Sequence, residues 1–426
     1  MKARSRGLGI SLRHWLVVLG SGLLMAANVL LFMAGGLMLP PLAEALGVGL
    51  GQVMVFVSIN FVTGAVVMTA AGPWLTRRFG LRRLVLAGGV FTGVMLIAVS
   101  LVGDLTQLYL AAFASGLLGP ASLQMSGAAL INNWFVSRRG LMLGVVMAIG
   151  GIGGLVAGAV LPQVVTAGGW QLGFQVVGGL TVAVAVVSGA LLIRSHPRYV
   201  GLQAHGVQDA QHVAHAETSG LPAAVAFRTP QFVALLIGLT LLSALMALQQ
   251  HFPPLMAERG LDLAATGSLI SVLSILNVGS TLLFGGVNDR RGPLVAIVLS
   301  GGLLVASLVT MLLAVGFLPQ AGAIVLFSIP AVTPPIVTPI LFRHTFGGRA
   351  FASLLGAGMA TMPAGVALGS PLWGVSKDLT GSYDPALVIA TGLTVVIVAL
   401  VSYALVTGPR LWRTVATASE GQPSLA

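Results

Sequence analysis

Nineteen of the 21 lysines and arginines in this chain stand at every second break in an almost unbroken series of apolar segments. The basic breaks are the N-terminus (Lys2, Arg4, Arg6, Arg13), Arg77–Arg78 with Arg82–Arg83, Arg138–Arg139, the segment 194–228, Arg290–Arg291, Arg343 with Arg349, and Arg410 with Arg413. The breaks between them hold only Arg259 and Lys377, beside Glu44, Asp104, Glu258, Asp262, Asp378 and Asp384. Short loops rich in Lys and Arg stay on the cytoplasmic side of a membrane, so this alternation predicts an even number of spans with both termini inside. The formal charge of +11 is then an orientation signal. A nucleic-acid surface would need its basic residues gathered on one soluble face, and no stretch reads as a soluble domain to carry one.

Composition agrees. Charged residues make up 7% of the chain and hydrophobic ones 56%, whereas soluble domains carry about 25% charged residues. The 57 glycines allow helix backbones to approach closely in lipid. Cysteine is absent, which excludes disulfides, thiol catalysis and Cys-ligated metals. The basic N-terminus and the apolar run that follows mimic a signal peptide. At residues 15–42, however, the run is nearly twice the usual length and reads as a retained first helix.

Each crossing needs roughly 20 apolar residues in a helix. Cutting at the charged breaks gives spans near 15–39, 52–75, 84–103, 108–131, 141–163 and 171–193, then 231–256, 266–287, 293–317, 321–342, 352–374 and 385–407. The predicted organisation is an N-terminal six-helix bundle (1–193), a cytoplasmic linker (194–228) and a C-terminal six-helix bundle with a short cytoplasmic tail (229–426). The halves repeat each other. Leu39-Pro40-Pro41-Leu42 answers to Phe252-Pro253-Pro254-Leu255, and Arg77-Arg78-Phe79-Gly80 to Asp289-Arg290-Arg291-Gly292. Such a repeat is the mark of a transporter whose solute binds between two bundles near the bilayer midplane. In the linker, His205, His212 and His215 have no Cys companions that would make a metal site, and they read as solvated.

Gly285-Gly286-Val287-Asn288-Asp289-Arg290-Arg291-Gly292 fits the G-x-x-x-D-R-x-G loop of the major facilitator superfamily. A carboxylate here can meet a neighbouring helix N-terminus, so Asp289, Arg290 and Arg291 are candidate latch residues. The first-half copy, with Arg77 and Arg78, has Pro73 at the glycine position and Arg77 at the aspartate position. Three further stretches narrow the likeness: Asn133-Trp134-Phe135-Val136-Ser137-Arg138-Arg139-Gly140, Arg228-Thr229-Pro230-Gln231-Phe232, and Gly374-Val375-Ser376-Lys377-Asp378-Leu379-Thr380-Gly381-Ser382-Tyr383. Together they resemble the monocarboxylate transporter family and its bacterial relatives, including the oxalate–formate exchanger. That resemblance implies an all-α membrane protein of twelve helices in two pseudo-symmetric bundles, with helices 1, 4, 7 and 10 around the cavity. It also implies charged residues that this chain lacks. Where relatives carry an Asp and an Arg on helix 8, Asn277 and Thr281 stand here; the helix 1 lysine falls near Gly36, and the helix 11 lysine near Met359.

No Asp, Glu, Lys or Arg lies in the middle of any span. Amides are costly in hydrocarbon and must face protein or water, so candidate solute-binding residues are Asn28, Phe32, Asn60, Gln124, Gln249, His251 and Asn277. Each amide has a structural reading too, as glue between helices. His251 could carry a proton or merely line an aqueous vestibule. Arg343 is either an inner-gate charge or a positive-inside anchor. Helix 10 holds Pro330, Pro334, Pro335 and Pro339, and the missing donors suggest a broken helix and a gate hinge, with Pro334 and Pro335 at its centre.

The expected function is secondary transport of a small organic anion, resembling a monocarboxylate, by alternating access in the cytoplasmic membrane. Transport of a more apolar or uncharged compound is the alternative, and a membrane sensor without transport the reading from another class. The expected partners are a small-molecule substrate, a co-transported proton and the lipid bilayer, with no nucleic acid, in a protein working as a monomer. No His-Glu-x-x-His appears and the spans lack carboxylates, so no enzyme activity, metal or cofactor is expected. Reporter fusions at Asp104, Arg194 and Lys377 should report outside, inside and outside; a linker on the outer side would overturn the topology.

Overall fold

The computed structural model describes residues 11–136, 138–202, 205 and 220–420. The N-terminal Lys2, Arg4 and Arg6 and the linker's His212 and His215 lie outside the described residues. Among the described residues, ten helices are long and apolar enough to cross a membrane. They become twelve because Gly168–Gly169 and Gly292 leave helical geometry inside two of them. In chain order, α1 is Leu12–Leu46, α2 covers 50–79 with a turn at Ala71, α3 81–99, α4 Leu105–Trp134, α5 139–167 and α6 170–192. After the linker, α7 is Pro230–Glu258, α8 263–291, α9 293–313, α10 Phe317–Phe346, α11 Phe351–Thr380 and α12 Asp384–Glu420. This is the expected all-α fold of two six-helix bundles.

The repeat seen in the sequence is also a repeat in backbone geometry. Gly80 turns α2 into α3 with φ 75° and ψ 152°, and Gly292 turns α8 into α9 with φ 83° and ψ 166°. A side chain is strained at positive φ, so one glycine in each half reverses the chain without a loop. Helix starts are capped by ordinary means: Asp104 accepts from the Gln107 amide (2.9 Å), Asp262 from Ala265 (2.7 Å), and Thr229 from Phe232 (3.2 Å) with Pro230 in the first turn.

Prolines act differently from the sequence expectation. Helix α1 runs through Pro40–Pro41 to Leu46, well past the anticipated end near 39. The four prolines of α10 lie inside one continuous helix, so the expected break is not there. Dense packing of the neighbouring helices holds the backbone helical although four carbonyls lose their ladder donor. The interruptions fall elsewhere. Pro120 opens a π-helical stretch, Pro120–Met125, in α4, where a missing N–H lets the turn widen. In α7, Pro253–Pro254 is preceded by a 3₁₀ stretch, Ala247–His251.

The halves touch through two pseudo-equivalent helix pairs and through α1 with α7. Positions 49–58 of α2 meet 367–378 of α11, and 151–162 of α5 meet 267–278 of α8. Both contacts lie toward the face that carries Glu44, Asp104 and Asp378, here the acid-bearing face. At the α5–α8 contact, a Cβ on Gly158 would lie 2.3 Å from the Gly267 carbonyl, so the backbones themselves are in contact. Toward the opposite, arginine-rich face, Gly144 of α5, Gly279 and Gly285 of α8 and Gly356 of α11 look onto open space. The paired helices meet at one face and leave these glycines uncovered at the other.

Within the first half, Gly153 of α5 lets α1 approach so closely that a Cβ there would sit 1.9 Å from the Ala26 carbonyl, whereas Gly144 has nothing within 4 Å. Gly153→Val should cost about 1–3 kcal/mol through forced backbone movement. Thermal melting in detergent should show a clear drop for Gly153→Val and none for Gly144→Ala.

Candidate functional site

The polar residues singled out on the inward helices do not share one fate. Asn60 bridges two helices: its Nδ2 donates to Ser115 Oγ at 2.8 Å, joining α2 to α4. Phe32 is half-buried and meets Phe61 edge-on, ring centroids 6.4 Å apart, linking α1 to α2. Gln124 lies in the π-helical stretch of α4 and is exposed. π-Bulges recur at functional sites because the widened turn leaves carbonyls and side chains to be satisfied from outside the helix. Composition alone could not have singled out that stretch, although Pro120 was the signal.

Asn28 and Asn277 come from opposite halves and are both half-buried. A Cβ on Gly154 of α5 would lie 2.0 Å from Ser274 Oγ of α8 and 3.6 Å from Val29 Cγ1 of α1. The two asparagines therefore lie within a turn of one cross-half junction, each beside a residue that forms it. With its amide nitrogen turned toward the acceptors, Asn277 reaches the Ser328 and Leu273 carbonyls, both at 3.3 Å. Ser328 in turn accepts from Ser280 Oγ at 2.9 Å. Thr281, at the place of the relatives' arginine, donates to the Asn277 backbone carbonyl at 2.9 Å. The junction thus offers amides, hydroxyls and carbonyls with no formal charge.

The 3₁₀ stretch of α7 buries Gln249, Gln250 and His251. His251 is fully buried and lines no vestibule. Its Nε2 lies 2.9 Å from the Ser370 carbonyl of α11 and its Nδ1 3.0 Å from the Tyr383 hydroxyl. A carbonyl only accepts, so Nε2 carries a hydrogen, and in the neutral ring Nδ1 accepts from Tyr383. Tyr383 sits in the turn before α12; burial, then the charges of Glu258 and Asp378, push its pKa up, so the hydroxyl remains a donor. Ser370 Oγ also donates to Gln250 Oε1 at 3.1 Å. His251 thereby ties α7 to α11 and α12. Below it, the Gln250 carbonyl stands where a Cβ on Gly36 of α1 would come within 2.3 Å, so Gly36 permits a backbone contact between the halves at the position where relatives place a lysine.

The latch candidates stand at the arginine-rich face. Arg77, Arg78, Asp289, Arg290 and Arg291 are exposed, and Asp289 accepts from its neighbour Asn288 at 3.2 Å instead of capping another helix. Arg343 is exposed in the last turn of α10, Pro334 is buried and Pro335 half-buried. Among the described residues, the ion pairs Glu258 with Lys377 and Arg259 with Asp384 are on the acid-bearing face and join the ends of α7, α11 and α12. His205, from the linker, pairs its backbone with the α4–α5 turn (Val136 amide to His205 carbonyl, 2.8 Å; His205 amide to Trp134 carbonyl, 2.9 Å).

The Major Facilitator Superfamily model matches residues 18–342. Among curated proteins, the chain is similar to monocarboxylate transporter 13 of Bos taurus, 24% identical over 329 residues that cover 75% of this chain and 72% of the relative. It is also similar to the uncharacterized MFS-type transporter YhjX of Escherichia coli (strain K12), 22% identical over 53% of this chain and 54% of that protein. Among solved structures, a bacterial homolog of the human lysosomal transporter Spinster, in an inward-facing and occupied conformation, aligns with TM-score 0.65 at 15% identity, covering 98% of this chain and 100% of that one. The nucleoside transporter NupG aligns with TM-score 0.73 at 14% identity, covering 92% and 99%.

With both ring nitrogens engaged in a buried site, His251 is expected to act as a structural residue. Tyr383→Phe should leave Nδ1 without a partner and cost about 1–3 kcal/mol. Thermal melting should fall for Tyr383→Phe and His251→Gln. Any solute accumulation driven by a pH gradient should persist, per folded molecule, in both.

Proposed function

The chain belongs to the major facilitator superfamily, and from that membership we propose that it moves a small organic solute across the membrane by alternating access between its two bundles, 1–193 and 229–426, joined by the linker 194–228. The observation that carries this is the asymmetry of the cross-half contacts. Helices α2 with α11 and α5 with α8 meet at the acid-bearing face and stand apart at the arginine-rich face. The positive-inside distribution makes the arginine-rich face cytoplasmic, in the cell's inner membrane, with both termini there. On that orientation the conformation is open inward, as in the Spinster homolog's inward-facing structure. Solute then binds just inside the closed junction, where Asn28 and Asn277 approach from opposite halves, with Gln124 and Phe32 on neighbouring walls and Gln249 above.

The first solute class is a small organic anion of monocarboxylate type, supported by the likeness to monocarboxylate transporter 13 and by the loop motifs. The carboxylate would be held by amide and hydroxyl donors, not by a guanidinium. A second reading, an uncharged or more apolar solute, is favoured by Asn277 and Thr281 standing where relatives place a charged pair. Any proton taken across travels with the solute, since no carboxylate lies mid-span. The protein works as a monomer.

A panel of monocarboxylates, dicarboxylates and neutral solutes, offered to proteoliposomes with and without an imposed pH gradient, separates the two readings. Asn28→Ala, Gln249→Ala and Asn277→Ala should each lower transport about five- to tenfold, the loss of one or so hydrogen bonds to solute, with membrane abundance unchanged. Near-normal transport in all three returns these residues to helix packing.

A further inference from the structure

Asp378 ends α11 on the acid-bearing face, and its carboxylate reaches out of its own half. Oδ1 accepts from the Leu50 amide at 2.9 Å and Oδ2 from the Gly51 amide at 2.7 Å. These are first-turn amides of α2, which lack partners inside their own helix, and the preceding Gly49 has no side chain to cap them. A carboxylate here also meets the positive end of the α2 dipole.

The surroundings are shaped for this approach. A Cβ on Gly49 would lie 2.6 Å from Asp378 Oδ2, one on Gly51 2.5 Å from Val375 Cγ2, and one on Gly374 2.8 Å from Gly51 itself. Neighbouring Lys377 is spent elsewhere: its Nζ pairs with Glu258, donates to the Gly381 carbonyl at 2.7 Å and lies over the Tyr383 ring at 5.6 Å. The negative charge of Asp378 is thus answered by α2 of the opposite half. The Glu258–Lys377 and Arg259–Asp384 ion pairs, by contrast, both stay within the C-terminal half. Among the described residues, the other side-chain bond from α2 to α11, Ser58 Oγ to the Ala367 carbonyl, involves no charge.

We propose that Asp378 is a positioning residue for the transport cycle: it holds the acid-bearing face shut by gripping the first turn of α2, and must release those two amides before that face opens. The assignment rests on the alternating-access reading. It gives a task to the Lys377-Asp378 pair of the α11–α12 motif, which otherwise marks only family likeness.

The absence of cysteine allows clean paired spin labels. Gly103 with Leu318 spans the halves at the acid-bearing face, and Leu141 with Leu283 at the arginine-rich face; all four positions are exposed. In detergent or nanodiscs, Asp378→Ala should lengthen the first distance and shorten the second in a population about tenfold larger than in the parent, the effect of losing charge-assisted hydrogen bonds. Gly51→Val, which keeps the carboxylate but blocks the approach, should shift both distances in the same direction. Asp378→Asn, which keeps the shape and one acceptor, should fall between parent and Asp378→Ala. Unchanged distance distributions in Asp378→Ala and Gly51→Val overturn the proposal even if melting temperature falls, because a merely structural cap would lower stability without moving the equilibrium. If Asp378→Ala does not fold, Gly51→Val and Asp378→Asn decide. No solute is added, so a failed transport assay leaves the outcome untouched, and unchanged distances beside working transport defeat only the Asp378 assignment.

Discussion

Contact of backbone with backbone across the two halves is the interaction on which this structure turns. In lipid, apolar side chains gain little by meeting one another, so helices associate through close packing and through polar groups that find partners. Here the packing is taken to its limit: Gly158 against Gly267, Gly36 against the Gln250 carbonyl, Gly51 against Gly374. Each contact exists because at least one of the two backbones is glycine at the point of approach. Such contacts are strong when seated and vanish over a small separation, since dispersion falls steeply with distance. A seam made of them suits two rigid bodies that must meet and part.

Much of the scaffold was legible from residue type alone. Charge at alternate breaks gave the spans, and the paired Pro-Pro and Arg-x-Gly signatures gave the repeat, down to Gly80 and Gly292 sharing a turn geometry. These features are local, or depend only on counting. Helix ends were less legible: α1 extends through Pro40–Pro41 because neighbouring helices stabilise a backbone that its own hydrogen bonds do not complete. For the same reason the prolines of α10 leave no break, while Pro120 in α4 does.

The candidate site was legible only in part. Asn28 and Asn277 could be named from their cost in hydrocarbon, but their shared junction depends on Gly154 bringing α1, α5 and α8 together. Asn60 looked equivalent in sequence, yet Ser115 was waiting 55 residues further along the chain. His251 looked like a titratable group at the water's edge; its partners Ser370 and Tyr383 lie 119 and 132 residues away. Asp378 was read as one letter of a loop motif, since nothing local reveals that its oxygens face α2. Pairing between distant segments is what a single sequence carries least.

The placement of charge has a consequence for energetics in a living cell. Every formally charged side chain in the spans lies near a helix end, and the middle of the bilayer is crossed by none. A membrane potential does about 2.3 kcal/mol of work per 100 mV on each elementary charge carried through it. In the proposed alternating-access cycle, the protein's own charges would stay near the two surfaces and sample only a small share of that drop. The voltage therefore acts on the cycle almost wholly through charge that the solute brings with it. A neutral passenger would cross indifferent to the potential, and an anion would be driven outward by an interior-negative cell at every turnover.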